Sequence, residues 1–200
     1  MASVYDLKPQ FQKLLRPLCA ALARAGVTAN QVTIAAAALC ILLGCAIAAT
    51  AGARWTLWLV PPVLFLRMAL NAIDGMLARD FGMKSRLGAV LNEMGDVVSD
   101  VALYLPFALI PGVSAPLVAF VVAISVMTET AGVVAVQIGS ARRYDGPFGK
   151  SDRAVFFGAL GLALAAGIAP DLWTSIVLVL GACAGALTIV RRAHAALGAP

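Results

Sequence analysis

From residue 30 onward the chain is a series of long apolar runs broken by short polar turns. None of the runs alternates apolar and polar residues with period two, so they read as helices and not as strands of a barrel. Each is close to the ~20 residues needed to cross a bilayer. They predict spans over about 30–50, 55–79, 86–111, 115–139, 153–169 and 172–191. Pro61-Pro62 should bend the second span near its start. The third span carries Asn92, Asp96 and Asp100, so it should be packed among other helices. Residues 4–24 differ from the rest. Leu7, Phe11, Leu14, Leu15, Leu18 and Leu22 share one helical face, while Lys8, Gln12, Lys13, Arg16 and Arg24 lie mostly off it. That is the pattern of an amphipathic helix lying in the membrane interface, and its charges interrupt any signal-peptide core. The prediction is an all-α integral membrane protein: an interfacial helix plus six crossings, with residues 1–200 as one domain.

Composition agrees. Hydrophobic residues make up 62% of the 200 positions and charged residues only 12%, about half the charged fraction of a soluble domain. The charges are also placed unevenly. Lys8, Lys13, Arg16 and Arg24 precede the first span; Arg79, Lys84 and Arg86 flank the turn after the second; Arg142, Arg143, Lys150 and Arg153 flank the turn after the fourth; Arg191 and Arg192 follow the sixth. With six spans all of these fall on one side and Arg54 alone on the other, which predicts cytoplasmic termini and basic turns. A bacterial inner membrane is the expected location, with no nucleic-acid partner. The four cysteines have no metal-ligand spacing and read as small apolar residues. His194 is the single histidine, which excludes a His-based metal site or triad.

The candidate chemistry sits where the second and third spans meet. Residues three, four and seven apart share a helix face. Arg67, Asn71, Asp74, Gly75 and Ala78 therefore line one side of the second span, and Gly88, Asn92, Asp96 and Asp100 one side of the third. The short turn makes the two spans antiparallel neighbours, so Asn71 and Asp74 can face Asn92 and Asp96. Carboxylates in a membrane are costly and point to function. Side-chain oxygens of this type suit hard divalent cations, and the small residues leave room for a ligand.

The run Asn71-x₂-Asp74-Gly75-x₂-Ala78-Arg79-x₈-Gly88-x₃-Asn92-x₃-Asp96 resembles the signature of the CDP-alcohol phosphotransferase family, which has aspartate at all four acidic positions. Ala29-Asn30-Gln31-Val32-Thr33 is similar to the Pro-Asn-x-x-Thr opening of the family's first span, with Ala29 in place of the proline. The resemblance implies a homodimeric enzyme that transfers a phosphatidyl group from CDP-diacylglycerol to a small polar alcohol and releases CMP. It implies metal ligands at Asp74, Asp96, Asn71 and Asn92, and a nucleotide pocket shaped by Thr33, Asp74, Gly75, Ala78, Arg79 and Gly88. Asp96 would be the base, and Mg²⁺ or Mn²⁺ the cofactor. Basic residues of the second turn, Arg142, Arg143, Lys150 and Arg153, would hold an acceptor or lipid phosphate, which favours glycerol 3-phosphate or an inositol phosphate as acceptor.

Two departures from the signature change the charge at the site. Asn71 and Asn92 keep an oxygen donor but lose the negative charge, so the remaining carboxylates balance one divalent ion, and a second ion should be weak or completed by the substrate diphosphate. Asp100 is better placed than Glu93 to compensate. Arg67 and Asp100 lie at similar depth and can pair, with Glu129 a third member of that network. Two other classes stay open: a non-catalytic CDP-lipid-binding homologue, and a small cation transporter with carboxylates at the midplane.

Overall fold

The computed structural model describes residues 4–198, with side chains from Gln10 onward. The expectations placed on Leu7 and Lys8 lie outside the described side chains. Every regular element among the described residues is helical: α1 (Val4–Arg24), α2 (Ala29–Ala49), α3 (Arg54–Trp58), α4 (Val60–Asp80), α5 (Arg86–Tyr104), a 3-10 turn (Leu105–Leu109), α6 (Ala115–Gln137), α7 (Lys150–Ala165) and α8 (Leu172–Leu197). Four segments are long and apolar enough to cross a membrane: Ala29–Ala49, Arg54–Asp80, Ala115–Gln137 and Leu172–Leu197. The chain is a membrane protein of all-helical class.

Prolines account for two places where the helices depart from the expected spans. The second span, Arg54–Asp80, is broken at one residue, Leu59: α3 ends at Trp58, and α4 restarts at Val60 with Pro61 and Pro62 in its first turn, where the sequence places a bend. Neither proline has an N–H to return to Leu57 or Trp58, and a first helical turn needs none. The third span ends its α-helix at Tyr104, because Pro106 has no N–H for the carbonyl of Ala102. That carbonyl is instead approached by α2. A Cβ on Gly44 would stand 1.9 Å from the Ala102 oxygen, so only glycine fits there.

Contacts within the chain group into two compact units. The first comprises residues 1–40 and 63–99. Its core is Cys19, Val32, Ile73, Met76 and Leu77, with Leu15 and Leu22 packed against it. Leu15, Cys19 and Leu22 are thus the inward stripe of α1, while Leu14 and Leu18 of the predicted apolar face stay exposed. Phe11 meets Phe65 edge-on at 6.0 Å. Burial raises the Cys19 thiol above its ordinary pKa; the charge of Asp80 adds to this and Arg16 opposes it. Cys19 and Cys40 are buried as small apolar residues, whereas Cys45 and Cys183 are exposed.

The second unit comprises residues 41–62 and 100–200. Its longest packed pair is α6 on α8, where a Cβ at Gly185 would come within 2.2 Å of Ile124. Tyr104 stacks on Phe157 with ring centroids 4.0 Å apart, and Phe107 meets Phe157 edge-on. The segment between α6 and α7 folds back onto the helices. Arg143 N–H donates to the Gly132 carbonyl at 3.2 Å and Phe148 N–H to the Thr188 hydroxyl at 2.9 Å. Gly146 has φ +108° and lies so close to Thr188 that a Cβ would be 2.7 Å from it. Asp152 then accepts the Gly149 N–H at 2.9 Å and starts α7.

Candidate functional site

In the first unit, α2, α4 and α5 bring their polar residues around a cleft of about 260 Å³. Of the residues singled out in the sequence, Thr33, Asp74, Gly75, Ala78, Gly88 and Asn92 line it. Asp74 is buried at 5% exposure, and the Thr33 hydroxyl donates to its Oδ2 at 2.7 Å. A buried carboxylate needs donors or a cation, and this contact ties α2 to α4 at the floor of the cleft. Small residues shape the walls. A Cβ on Gly88 would lie 2.7 Å from Asn30 Oδ1 and 3.0 Å from Ser85 Oγ. A Cβ on Gly75 would lie 3.0 Å from the guanidinium of Arg79, whose side chain folds back along its own helix. Asn30, Lys84 and Ser85 also line the cleft. None of the three is marked as a site residue by helical spacing, although Asn30 lies inside the Ala29-Asn30-Gln31-Val32-Thr33 motif.

Asn71 and Asp96 form a second pairing. The Asn71 amide nitrogen donates to Asp96 Oδ1 at 3.5 Å. Arg67, 3% exposed, reaches the same carboxylate at 3.6 Å and donates to the Asp96 backbone carbonyl at 3.1 Å. Asn71 and Asp96 are therefore brought face to face across α4 and α5, as the helical spacing predicts. Among the described residues, no three acids, histidines or cysteines converge. The oxygen donors present, two carboxylates and two carboxamides, fit a hard divalent cation in chemistry and balance the charge of one.

The remaining sequence candidates lie in the second unit and form a different kind of structure. Arg153 is completely buried. Its Nε donates to Asp100 at 2.8 Å, one terminal nitrogen to Glu129 at 2.8 Å, and the other to the Thr128 hydroxyl and the Phe148 carbonyl. Arg142 meets the other oxygen of Glu129 at 3.1 Å and stacks over Tyr144. Arg192, also buried, donates to the backbone carbonyls of Thr128 and Asp145. Arg143 pairs with Asp145 at 2.9 Å at the surface, and Lys150 is half-buried at the start of α7. Arg153 and Arg142 thus share the Glu129 carboxylate, while Arg143 pairs with Asp145 at the surface. Glu129 belongs to a network, as its place in an apolar span indicates. Arg192 was read only as a topology signal; its position at the end of an apolar helix was the single hint of more.

Comparison with known proteins gives this arrangement a family. The CDP-alcohol phosphatidyltransferase profile matches residues 26–190. The inner membrane protein YnbA of Escherichia coli K12 is 52% identical over 163 residues, 82% of this chain and 81% of that protein. A phosphatidylinositol phosphate synthase of Mycolicibacterium smegmatis is 34% identical over 105 residues, 52% of this chain and 46% of that one. Crystal structures of the Mycobacterium tuberculosis phosphatidylinositol phosphate synthase PgsA1 share the fold. The one with CDP-DAG bound has a TM-score of 0.76 at 20% identity, covering 94% of this chain and 96% of that chain. The one with manganese and citrate has a TM-score of 0.75 at 21% identity, covering 92% and 89%. Asp74 and Asp96 sit within the profile match on helices that carry the signature spacing, and the chain belongs to the CDP-alcohol phosphatidyltransferase family of membrane enzymes.

Proposed function

We propose that the protein transfers the phosphatidyl group of CDP-diacylglycerol to a small polar alcohol. The observation that carries this reading is the buried Thr33–Asp74 hydrogen bond at the floor of a cleft walled by Gly75, Ala78 and Gly88. The nucleotide sits in that cleft, with Arg79 along its rim. Asp74 and Asp96 hold the cation, with Asn71 and Asn92 as neutral oxygen donors and Asp100 held back by Arg153. Mg²⁺ or Mn²⁺, when bound there, would supply neutralisation of diphosphate charge. Asp96 takes the proton of the acceptor hydroxyl as its oxygen bonds to the lipid-side phosphorus; the bond to the CMP oxygen breaks and CMP leaves. Arg142, Arg143 and Lys150 draw in an acceptor phosphate, as of glycerol 3-phosphate or an inositol phosphate, with Arg153 supporting the turn from beneath.

In this reading residues 1–200 act as one domain and two chains form a homodimer. The helices α5 and α7 complete six crossings, α1 lies in the interface through Leu14 and Leu18, and the cleft faces the cytoplasm. CMP release from CDP-diacylglycerol by purified protein, with Mg²⁺ or Mn²⁺ and a panel of acceptors, tests the proposal. Release is expected, and Asp74→Ala or Asp96→Ala should abolish it, since each removes one of two charged ligands. Binding of CDP-diacylglycerol without release for any acceptor would make the protein a non-catalytic homologue. Cation transport without affinity for CDP or CMP would make it a transporter.

A further inference from the structure

We infer that Arg67 stands in for a second metal ion: its guanidinium is a built-in cation at Asp96, and the site takes one divalent ion. This rests on the reading of the cleft as the site of phosphatidyl transfer. Arg67 is 3% exposed in an apolar helix, where a cation needs a specific partner. It is anchored twice to the same residue, at 3.6 Å to the Asp96 carboxylate and at 3.1 Å to its backbone carbonyl. The backbone contact fixes the charge on α5 and keeps it at the carboxylate. Asn71 adds its amide nitrogen to the same oxygen at 3.5 Å. An aspartate at position 71 would instead face Asp96 as a like charge, which only a further cation would relieve. The amide and the arginine therefore belong together.

Charge counting points the same way. Asp74 and Asp96 bring two negative charges and Arg67 returns one positive, which leaves minus one. One divalent ion takes the site to plus one, and a diphosphate carrying about two negative charges takes it to about minus one. In the absence of the diphosphate a second divalent ion would take the site to about plus three beside a buried guanidinium, with only neutral amides at positions 71 and 92 to receive it. No third acid, histidine or cysteine converges on the site among the described residues. Arg67 is thus a positioning residue: it acts through Asp96, holding the carboxylate aligned as a second ion would.

The test is Mn²⁺ stoichiometry and affinity of the full-length protein in detergent, with and without CDP-diacylglycerol. Wild type should bind one ion in both states. Arg67→Gln removes the internal cation, so Mn²⁺ should bind at least about tenfold tighter or with a second equivalent. Arg67→Lys keeps the charge and should bind a single ion as wild type does. Two ions on wild type would overturn the inference and leave the transfer reading intact, and this arm needs no variant to fold. Folded Arg67→Gln with unchanged affinity and stoichiometry would also overturn it, since an ordinary structural pair would alter stability alone. Failure of wild type to bind any Mn²⁺ or to release CMP would sink the transfer reading and this inference with it.

Discussion

Asp96 and Asp100 are a single helical turn apart on α5 and meet different residues. Asp96 has the Asn71 amide and Arg67 beside it. Asp100 is 3% exposed and bonded to the fully buried guanidinium of Arg153. The difference decides what each residue should do when neutralised. Asp100→Asn removes one of the two carboxylates that hold the buried Arg153 guanidinium and leaves Glu129 as its remaining countercharge, so the loss should fall below the roughly 3–5 kcal/mol of breaking a lone buried pair. Thermal denaturation in detergent should therefore shift downward. Mn²⁺ affinity of the variant measured below its transition should stay at the wild-type value, and a clear loss of affinity would return Asp100 to the list of metal ligands. At this scale the sequence was legible for single residues and less so for partners. Helical spacing was enough to face Asn71 with Asp96. It did not indicate that Asp100 would find Arg153, 53 positions away and counted as part of a surface turn. A charge at the edge of an apolar run has the same appearance in sequence whether it snorkels to water or turns inward.

Glycine positions carry the close approaches between elements, and the kind of atom facing each one predicts a different failure. At Gly44 the neighbour is the backbone carbonyl of Ala102, which cannot rotate away. Gly44→Ala should force α2 off its seat and lower thermal stability, with the damage present whether or not nucleotide is bound. At Gly88 the neighbours are the side-chain ends of Asn30 and Ser85, which can yield. Gly88→Ala should leave the melting temperature nearly unchanged and weaken binding of CDP, because the displaced side chains move into the cleft. Equal stability losses for the two variants would count against this distinction. The helices themselves were legible from apolar run length, and their ends lie within a few residues of expectation except near prolines and at α8, which runs on past the expected end at 191 to Leu197. Pro61 and Pro62 lie in the first turn after the break at Leu59, and Pro106 lies in the 3-10 turn that ends the third span. The apolar pattern continues through both places because the bilayer requirement does not depend on which hydrogen bonds are made. Backbone chemistry, and not hydropathy, sets the break.

For the whole molecule the uneven placement of Lys and Arg predicts that the segments 80–86 and 141–152 lie in the cytoplasm. Cysteine introduced at Met83 or at the exposed Ala141, in a background lacking the four native cysteines, should resist a membrane-impermeant maleimide in intact cells and react after permeabilisation. Labelling in intact cells at either position would reverse the orientation. The buried triad of Arg153, Asp100 and Glu129 has one further consequence, for how the chain is made. Neither α5 nor α7 is among the four segments both long and apolar enough to cross a membrane. Asp100 leaves the ribosome 53 residues ahead of Arg153, a lead of roughly 3–10 seconds at ordinary rates of synthesis. Through that interval the nascent chain carries an acidic helix whose arginine has not yet been translated. In the six-crossing reading this helix would wait at the insertion channel or the headgroup boundary until α7 emerges, and α5 and α7 would enter the lipid as a late, joint event. A ribosome stalled between α6 and α7 would leave the species most exposed to membrane quality-control proteases.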